Sequence, residues 1–478
     1  MPAIRRLLVA NRGEIAVRIV RACEQLGIES VVAVSEIDRN TLAAQMATRA
    51  VCIGPAASRQ SYLRAETLIA AALGSGCQAI HPGYGFLSER PAFARMCEQA
   101  GLLFVGPRPE SIKAMGEKLT AVGFAERAGV QRVPGSGRIE GPQDAHRAAE
   151  RIGFPVLIKA SAGGGGRGMR LVQAAGDLAG AIDSAASEAR AAFGDASLYL
   201  EKFIDRARHI EIQVVGDDHG RIVHLGERDC STQRRYQKLI EEAPSPVIDE
   251  RVRQRMSEAA VRLARKVAYR SAGTVEFVYD AQARDFYFLE MNTRVQVEHP
   301  VTEMVTGRDL VMEQIRIAAG EALSFTQEDV ALRGHAIECR INAEDPARNF
   351  MPCPGPIRTW NPPPIVDGVR IDTHCYTGYV VPPHYDSLLA KLIIHAADRS
   401  AAIRSMGEAL AGFDVSGVVT TIPFHQAVLQ HDSFQKAAIY NRWVDQEFMP
   451  RLSAHQLPVP KPPAAASVAE AALARAAG

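Results

Sequence analysis

The stretch VLIKASAGGGGRGM, residues 156–169, joins an apolar run to a glycine-rich segment. The run Val156–Ser161 predicts a buried strand, and the glycines at 163–166 let backbone N–H groups approach phosphate oxygens. Lys159 and Arg167 bracket the glycines and add the positive charge that a polyphosphate requires. The segment is not a Walker A loop, because no Gly-Lys pair with Ser or Thr follows it. We therefore predict a mobile lid over a nucleotide, spanning about residues 130–204.

Upstream of this lid, short β-branched runs alternate with amphipathic stretches. The runs LLVA, SVVAVS, AVCI, AIHP and LLFVG predict strands, the third followed by a helix from Tyr62. The alternation indicates a doubly wound parallel α/β domain at residues 1–115. Such sheets bind ligands at the carboxyl ends of their strands, where Asn11–Glu14 and His81–Gly85 fall. The GxGxxG fingerprint is absent after the first strand, which argues against a nicotinamide dehydrogenase.

Downstream of the lid, longer alternating strands dominate residues 209–292. The segments HIEIQVVGD, RIVHLGERD, GTVEFVYD and DFYFLEMN predict an antiparallel sheet, with one helix between Glu250 and Tyr269. The pattern over residues 335–445 predicts a C-terminal mixed α/β domain. Residues 450–478 are rich in Pro and Ala, and we expect this tail to be disordered or weakly helical. The predicted fold class is α/β and α+β, with the central domain at 116–330.

Two carboxylates in the predicted sheet indicate a metal site. Glu276 and Glu290 lie equally far before and after Ala283, so a symmetric hairpin turning there pairs them on one face. Like charges in that position need a cation between them, and oxygen ligands beside a triphosphate favour Mg²⁺. The alternative is a pair of solvated edge charges. If the chain stays extended, strand parity adds further polar groups to the same face: Asn292, Arg294, Gln296 and Glu298.

Charge also clusters in ERDCSTQRRYQK, residues 227–238, which continues into LIEEAP. As a charge run alone, it predicts a solvated loop. Arg340 differs, because in HAIECRINAED it alternates with apolar residues and needs an anionic partner.

Composition excludes several classes of protein. The 55 Lys+Arg and 54 Asp+Glu leave a formal net charge of +1, so nothing suggests a nucleic-acid or anionic-membrane partner. No apolar run approaches the ~18 residues of a membrane span, and Asn11–Glu14 interrupt the first run, unlike a signal peptide. The 8 cysteines form no CxxC pair and are expected to be reduced thiols. We expect a cytoplasmic protein.

Eight segments, in chain order between about residue 6 and about residue 443, carry a family resemblance. They are ANRGEIAVRI, HPGYGFLSE, KASAGGGGRGM, ERDCSTQRRYQK, EEAPSP, EMNTRVQVEHPVTEM, GHAIECRINAED and PPHYDSLLAKL. Together they resemble biotin carboxylases, a family of ATP-grasp ligases. The resemblance implies an enzyme that uses ATP, Mg²⁺ (or Mn²⁺) and bicarbonate to carboxylate N1′ of carrier-bound biotin through carboxyphosphate.

The resemblance also implies residue roles. ATP would contact Lys118, Lys159, Gly164, Gly165, Gly166, Met169, Glu201, Lys202, Ile204, His209, Gln233, Tyr236, Glu276 and Glu290. Metal ions would bind Glu276, Glu290 and Asn292, and bicarbonate would bind Lys238, Arg294, Gln296 and Val297. Glu298 would deprotonate bicarbonate, and Arg340 would stabilise the biotin enolate. A carboxylate between Arg294 and Lys238 is expected to have a depressed pKa.

A departure at the nucleotide site and an absent motif accompany the resemblance. Tyr236 stands where the family usually has His, at a position near the nucleotide ribose. No Met-Lys-Met biotinylation site occurs in the sequence, so the biotin carboxyl carrier protein and the carboxyltransferase subunits are expected to be separate chains. The simplest assignment is a homodimeric biotin carboxylase subunit of acetyl-CoA carboxylase, which supplies malonyl-CoA for fatty-acid synthesis.

Three alternatives stay open. The same subunit could serve a two-subunit pyruvate carboxylase or another acyl-CoA carboxylase, because a different chain selects the acceptor. An ATP-grasp ligase that forms an amide through an acyl phosphate would share the lid and the carboxylate pair, but would not be expected to keep QRRYQK together with RVQVEHP. A non-catalytic ATP-binding scaffold is the third, and it is disfavoured by the presence of Lys238, Arg294, Glu298 and Arg340.

Overall fold

The computed structural model describes residues 4–161 and 169–452, except for the side chains of Leu119 and Phe193. Three of the predicted phosphate-binding residues, Gly164, Gly165 and Gly166, lie outside the described residues. The predicted tail lies outside them beyond residue 452. The expectations for both segments stay predictions.

The N-terminal unit alternates strands with helices. It comprises β1 (Arg6–Val9), α1 (Gly13–Gln25), β2 (Glu29–Val34), α2 (Leu42–Met46), β3 (Arg49–Cys52), α3 (Ala65–Gly74), β4 (Ala79–His81), α4 (Pro91–Gln99), β5 (Leu103–Phe104) and α5 (Pro109–Gly116). The strands pair in parallel in the order β3-β2-β1-β4-β5. Leu7 and Val9 enter one apolar core and Leu8 another, so both faces of the sheet are covered. The predicted doubly wound domain is confirmed, although α3 begins at Ala65 rather than at Tyr62.

A small unit follows the N-terminal one. After α6 (Lys118–Arg127), which packs into the core of the large sheet described below, it comprises α7 (Pro142–Ile152), β6 (Val156–Ala160), β7 (Arg170–Val172), α8 (Leu178–Phe193) and β8 (Leu198–Lys202). The three strands form an antiparallel sheet in the order β7-β6-β8. Ala149 of α7 and Ala189 of α8 are buried in its core. Such small side chains allow the helices to pack closely on the sheet, which holds the predicted strand β6 in place.

The rest of the chain builds one large sheet and its covering helices. The central elements are β9 (Arg208–Gly216), β10 (Ile222–Arg234), β11 (Gln237–Ala243), α9 (Glu250–Lys266), β12 (Ser271–Asp280), β13 (Asp285–Asn292), α10 (His299–Thr306) and α11 (Leu310–Ala318). The C-terminal elements are β14 (His335–Asn342), β15 (Glu344–Asp345), β16 (Met351–Pro352), β17 (Gly355–Pro356), β18 (Thr359–Asn361), β19 (Val369–Thr373), β20 (Val380–Val381), β21 (Leu388–Ala396), α12 (Arg399–Ala411), β22 (Asp414–Ser416), α13 (Ile422–Gln430), α14 (Asp432–Gln435), a π-helical turn (Val444–Phe448) and α15 (Met449–Arg451).

The large sheet runs through both the central and the C-terminal segments. Its order within the described residues is β13-β12-β9-β10-β11-β14-β21-β19, and every pairing in it is antiparallel. Strand β14 hydrogen-bonds directly to β11. The mixed α/β and α+β prediction is confirmed. The boundaries at 1–115, 116–330 and 335–445 stay predictions, and the sheet is continuous across the last of them.

The charged stretch 227–238 is a hairpin that is buried at 227–234 and exposed only at its tip, 235–237, so the prediction of a solvated loop is wrong for most of its length. It forms the end of β10 and the start of β11. Charged residues there have partners inside the protein: Arg228 Nε donates to Glu211 at 2.5 Å, and Asp229 accepts from Arg208 at 2.8 Å. Because a charge run looks alike whether it is solvated or paired, sequence pattern alone does not distinguish the two cases.

The hairpin β12–β13 pairs Glu276 with Glu290, as the sequence predicts. The register depends on an irregularity, because the next pair toward the turn is Phe277 with Phe288. One extra residue on β13 therefore brings Glu290 opposite Glu276. Strand β13 ends at Asn292, so the condition under which Arg294, Gln296 and Glu298 would continue its face, an extended chain, is not met. The chain turns instead and enters α10 at His299.

Two observations concern the protein's environment. All 8 cysteines belong to the described residues and are unpaired. Within residues 4–161 and 169–452, no helix combines the length and apolar character needed to cross a membrane.

Lys391 connects the N-terminal unit to the large sheet. It lies on β21 and is fully buried. Its Nζ is 3.1 Å from Glu14 Oε2 on α1 and 3.6 Å from Asp372 Oδ2 on β19, and it donates to the Val297 carbonyl at 2.9 Å. A buried ammonium is tolerated because it has these anionic and carbonyl partners. The contacts fix the N-terminal unit against the segment that leads into α10.

We predict that Lys391→Met lowers the free energy of unfolding by about 3–5 kcal/mol, because it leaves Glu14 without its buried cation, whereas Asp372 keeps Arg370 as its partner. Chemical denaturation followed by circular dichroism measures this. The matched control is Lys436→Met, which removes an exposed pair with Asp432 and should leave stability unchanged. Equal, small effects in the two variants would contradict the proposed connection.

Candidate active site

A single cavity of about 1220 Å³ collects every predicted site residue that the structure describes. It lies between the N-terminal unit, the small three-stranded unit and the large sheet. The predicted residues that line it are Lys118, Lys159, Met169, Glu201, Lys202, Ile204, His209, Gln233, Tyr236, Lys238, Glu276, Glu290, Asn292, Arg294, Gln296, Val297, Glu298 and Arg340. Asn11, Glu14 and Tyr84 also line it, so the carboxyl ends of β1 and β4 face the cavity as expected.

Glu276 is the centre of the carboxylate end of the cavity. Its Oε1 accepts from Lys238 at 3.0 Å, Asn292 at 2.8 Å and Gln296 at 2.7 Å. Its Oε2 lies 3.0 Å from His209 Nε2. Burial opposes ionisation, but Lys238 and His209 hold the pKa of Glu276 well below its usual range. Glu276 is therefore an anion whose oxygens are surrounded by donors.

Two neighbours of Glu276 have pKa values shifted in the opposite direction. Burial favours neutral His209, but the Glu276 carboxylate raises the pKa of His209 to about 9. Desolvation in the cleft and the charge of Glu276 raise the pKa of Glu290. Both carboxylates line the cavity, but Glu276 is buried whereas Glu290 is exposed. The pair thus combines Glu276, a fixed anion, with Glu290, a carboxyl whose ionised form a nearby cation would stabilise.

Lys238 is held by three carboxylates at once. Its Nζ is 2.5 Å from Glu211 Oε2, 3.0 Å from Glu276 Oε1 and 2.6 Å from Glu298 Oε1. Burial disfavours its charge, but Glu211, Glu276 and Glu298 raise the pKa of Lys238 well above its usual value. Lys238 is therefore a fixed cation at the junction of the metal-ligand candidates and Glu298.

Glu298 lies between two cations, as predicted, but the second cation is Arg340. Arg340 Nη2 donates to Glu298 Oε2 at 2.9 Å. Burial opposes ionisation, yet Lys238 and Arg340 lower the pKa of Glu298 to about 2. The predicted direction of the pKa shift is right, and Arg294 interacts with Glu298 through its charge as expected, but the direct contact is made by Arg340. Arg340 has the anionic partners that the sequence demanded, since its Nε also donates to Glu241 at 2.6 Å.

Arg294 contacts the metal-ligand side of the cavity instead. Its Nη2 donates to Asn292 Oδ1 at 2.8 Å, and its Nε donates to Glu89 Oε2 at 3.1 Å. Glu89 also accepts from the backbone N–H of Thr293 at 3.1 Å. The turn after β13 places Arg294 there, because the strand ends two residues earlier. Glu89 comes from the N-terminal unit and therefore fixes this turn across the cavity.

Sequence reasoning missed a fully buried arginine beneath the cavity. Arg228 Nη2 donates to Gln296 Oε1 at 2.6 Å, and its Nε donates to Glu211. Strand parity could have found Glu211, which lies two residues after His209 and opposite Glu276. Arg228 carried no such signal, because its stretch resembled a solvated loop.

The nucleotide-side candidates lie on the small unit and at the tip of the β10–β11 hairpin. Lys159 Nζ pairs with Glu201, which is on the neighbouring strand β8. Lys202 Nζ donates to the carbonyls of Gly153 and Phe154, both at 2.9 Å. Burial lowers the pKa of Lys118, at the start of α6. All three lysines line the cavity.

Tyr236 lies at the exposed hairpin tip. Together with Arg235 it forms a two-residue turn in which both residues have positive φ, 66° and 47°. That is the type I′ geometry, which non-glycine residues adopt at a cost. Asp445 accepts from the Arg235 backbone N–H at 2.9 Å, so the C-terminal segment supports the strained turn. Tyr236 is 53% exposed and lines the cavity.

Comparison with known proteins agrees with this architecture. Residues 3–112 match the family described as "Biotin carboxylase, N-terminal domain", and 338–446 match "Biotin carboxylase C-terminal domain". Residues 117–326 match "Carbamoyl-phosphate synthase L chain, ATP binding domain".

Individual relatives match most of the chain. The biotin carboxylase of Nostoc sp. is 54% identical over 92% of this chain and 98% of its own. A pyruvate carboxylase subunit from Methanothermobacter thermautotrophicus is 50% identical over 92% of this chain and 89% of its own.

Solved structures agree. A Campylobacter jejuni biotin carboxylase–βγ-ATP complex superposes with a TM-score of 0.88 at 46% identity, covering 93% of this chain and 99% of that one. The biotin carboxylase domain dimer of Hydrogenobacter thermophilus 2-oxoglutarate carboxylase, in complex with MgADP, ADP and bicarbonate, gives 0.87 at 46% identity, covering 93% and 98%. With a relative more than half identical over nearly its whole length, the chain belongs to the biotin carboxylase family of ATP-dependent, ATP-grasp ligases.

Proposed function

We propose that this protein carboxylates N1′ of biotin on a separate biotin carboxyl carrier protein, using ATP and bicarbonate through carboxyphosphate. The observation that carries the proposal is the Lys238–Glu298–Arg340 ion-pair series next to the Glu276–Asn292 oxygen set, within one cavity. It brings a buried carboxylate, two anion-binding cations and hard oxygen ligands together. Phosphoryl transfer to bicarbonate requires these groups side by side.

Glu276, Glu290 and Asn292 fit Mg²⁺ or Mn²⁺, because all three offer hard oxygen ligands on one face of β12–β13. His209, Glu211 and Glu276 also lie close enough to bind a metal ion together. Glu211, however, is held by Arg228 and Lys238, whereas Glu290 is accessible. When bound, the ion would neutralise charge on the ATP phosphates.

ATP would occupy the end of the cavity between the small unit and the hairpin tip. The proposed contacts are Lys118, Lys159, Met169, Glu201, Lys202, Ile204, His209, Gln233, Tyr236, Glu276 and Glu290, with Gly164, Gly165 and Gly166 expected on the phosphates. The Lys159–Glu201 pair supports this proposal, because phosphate could replace the carboxylate as the partner of Lys159. The aromatic ring of Tyr236 would lie near the ribose.

Bicarbonate would bind Lys238, Arg294, Gln296 and the backbone of Val297. Glu298 would accept its proton, and the bicarbonate oxygen would attack the γ-phosphorus as ADP leaves. The pKa of about 2 for Glu298 belongs to the state in which Lys238 and Arg340 pair with it. Bicarbonate contacting Lys238 would share that cation, which would raise the pKa of Glu298 and make it a better base.

Arg340 would then stabilise the biotin enolate beside the carboxyphosphate. Breakdown of carboxyphosphate gives CO₂ and phosphate, and phosphate would remove the N1′ proton of biotin. Water has to be excluded during this step, which is the proposed purpose of closing the lid at about residues 130–204.

We further propose acetyl-CoA carboxylase as the assembly, with the carboxyltransferase on other chains and this chain as a homodimer. The relative named as a subunit of pyruvate carboxylase keeps pyruvate as the alternative acceptor. The unpaired cysteines support a cytoplasmic location, where thiols stay reduced. Mass spectrometry of the carboxyltransferase that co-purifies with the protein would distinguish the acceptors.

The proposed function predicts that phosphate release from ATP requires bicarbonate and is stimulated by free biotin. The assay uses the purified chain with Mg²⁺, with and without biotin, and chloride in place of bicarbonate as control. ATP binding without stimulation by either addition would favour the scaffold alternative. In that case Tyr236→His tests whether the departure at this position is responsible.

Glu298→Gln should reduce biotin carboxylation at least ~10²-fold, because the amide cannot accept the proton of bicarbonate. ATP affinity should remain nearly unchanged, since Glu298 contacts Lys238 and Arg340 rather than the nucleotide-side residues. Glu321→Gln, an exposed change outside the cavity, is the matched control. Equal losses of rate and ATP affinity would contradict the assigned role.

A further inference from the structure

Two fully buried glutamates lie directly behind the proposed biotin-side arginine. Glu241 on β11 and Glu338 on β14 are paired across the two strands, and both side chains are inaccessible to solvent. Directly opposed residues of antiparallel strands share a face, with Cβ atoms about 4.5–5.5 Å apart. Neither glutamate is required by the mechanism above.

The hydrogen bonds of this pair are incomplete. Glu241 Oε1 accepts from Arg340 Nε at 2.6 Å, but its Oε2 has no hydrogen-bond partner among the described residues. Neither carboxylate oxygen of Glu338 has a hydrogen-bond partner within residues 4–161 and 169–452. Two buried carboxylates in this position would repel, whereas a protonated carboxyl can donate its O–H to the ionised one.

The surrounding charged groups supply no hydrogen bond to the three unpartnered oxygens of Glu241 and Glu338 within the described residues. The charged and titratable groups that face it are Lys238, Glu298, Arg340, Lys391, Cys230 and Cys339. Lys391 is engaged with Glu14 and the Val297 carbonyl. Burial raises the pKa of Glu241 to about 7 despite Arg340, and burial raises the pKa of Glu338 well above its usual value. The two carboxyls therefore titrate as a unit.

We propose that Glu241 and Glu338 share a proton that resides mainly on Glu338, and that Glu241 thereby acts as a positioning residue for Arg340. Ionised Glu241 holds Arg340 Nε and divides the arginine's charge between two carboxylates. A second proton on the pair neutralises Glu241, and Glu298 is then the one ionised carboxylate that contacts Arg340 among the described residues. This inference rests on the proposed roles of Arg340 and Glu298.

The sign of the pH dependence follows from this arrangement. Because the pKa of Glu241 is about 7, lowering the pH through neutrality protonates it. Arg340 then loses one anchor and acts undivided on Glu298, which becomes a weaker base. Biotin-dependent turnover should therefore fall on the acidic side of about pH 7 and recover above it.

Glu241→Gln and Glu338→Gln test the proposal through the pH profile of kcat/KM for biotin. Glu241→Gln fixes the neutral state, so we expect its kcat/KM to be ~10-fold below wild type at about pH 8 and within about twofold of it at about pH 6. The profile of the variant should be flat over this range. Glu338→Gln resembles the protonated carboxyl and should keep the wild-type profile. An unchanged profile shape in Glu241→Gln, whatever its overall rate, would overturn the proposal.

Infrared spectroscopy tests the shared proton without turnover. At about pH 8, wild type should show a carboxylic-acid carbonyl band that is lost in Glu338→Gln. Retention of every such band in that variant would overturn the proposal, even if Glu241→Gln fails to fold. Because the band requires no catalysis, it also decides the inference if wild type lacks biotin-stimulated turnover, which would be a failure of the proposed function.

Discussion

The guanidinium of Arg228 is the interaction on which the site depends. Its side chain is fully buried, and it donates to Glu211, Gln213, Thr274, Gln296 and Thr302 at 2.5–3.1 Å. These five donor–acceptor contacts use the whole fork of the arginine. They connect β9, β10, β12, the turn after β13 and α10. A buried cation is tolerable only with such complete pairing, so these elements are fixed relative to one another.

The candidate metal ligand Glu276 and the candidate base Glu298 are linked through that guanidinium. Glu211 accepts from Arg228 with one oxygen and holds Lys238 with the other. Gln296 accepts from Arg228 and donates to Glu276, which fixes the orientation of its amide. Lys238 and Arg340 then place their charges on either side of Glu298. Charges held in advance of the reaction stabilise developing negative charge without a reorganisation cost.

The sequence predicts the local patterns and misses the long-range partners. Alternating strands and the position of Ala283 predict that Glu276 opposes Glu290, because strand parity and turn position depend only on neighbouring residues. The irregularity that completes this register has no such signal. Whether Arg228 is solvated or buried depends on Glu211 and Gln296, which are distant in the chain. The same limit explains why Arg340, rather than Arg294, is the second cation on Glu298.

Steady-state kinetics of Arg228→Lys test the central account most directly, with Arg253→Lys as control. Arg253, on α9, pairs with Glu227, which lies on β10 next to Arg228. Arg253 does not line the cavity. The lysine variant keeps the charge and loses the fork, so we expect at least a ~10-fold higher KM for bicarbonate with the KM for ATP within about twofold. Arg253→Lys should change neither. Equal changes in both KM values for Arg228→Lys, or no change in either, would contradict the account.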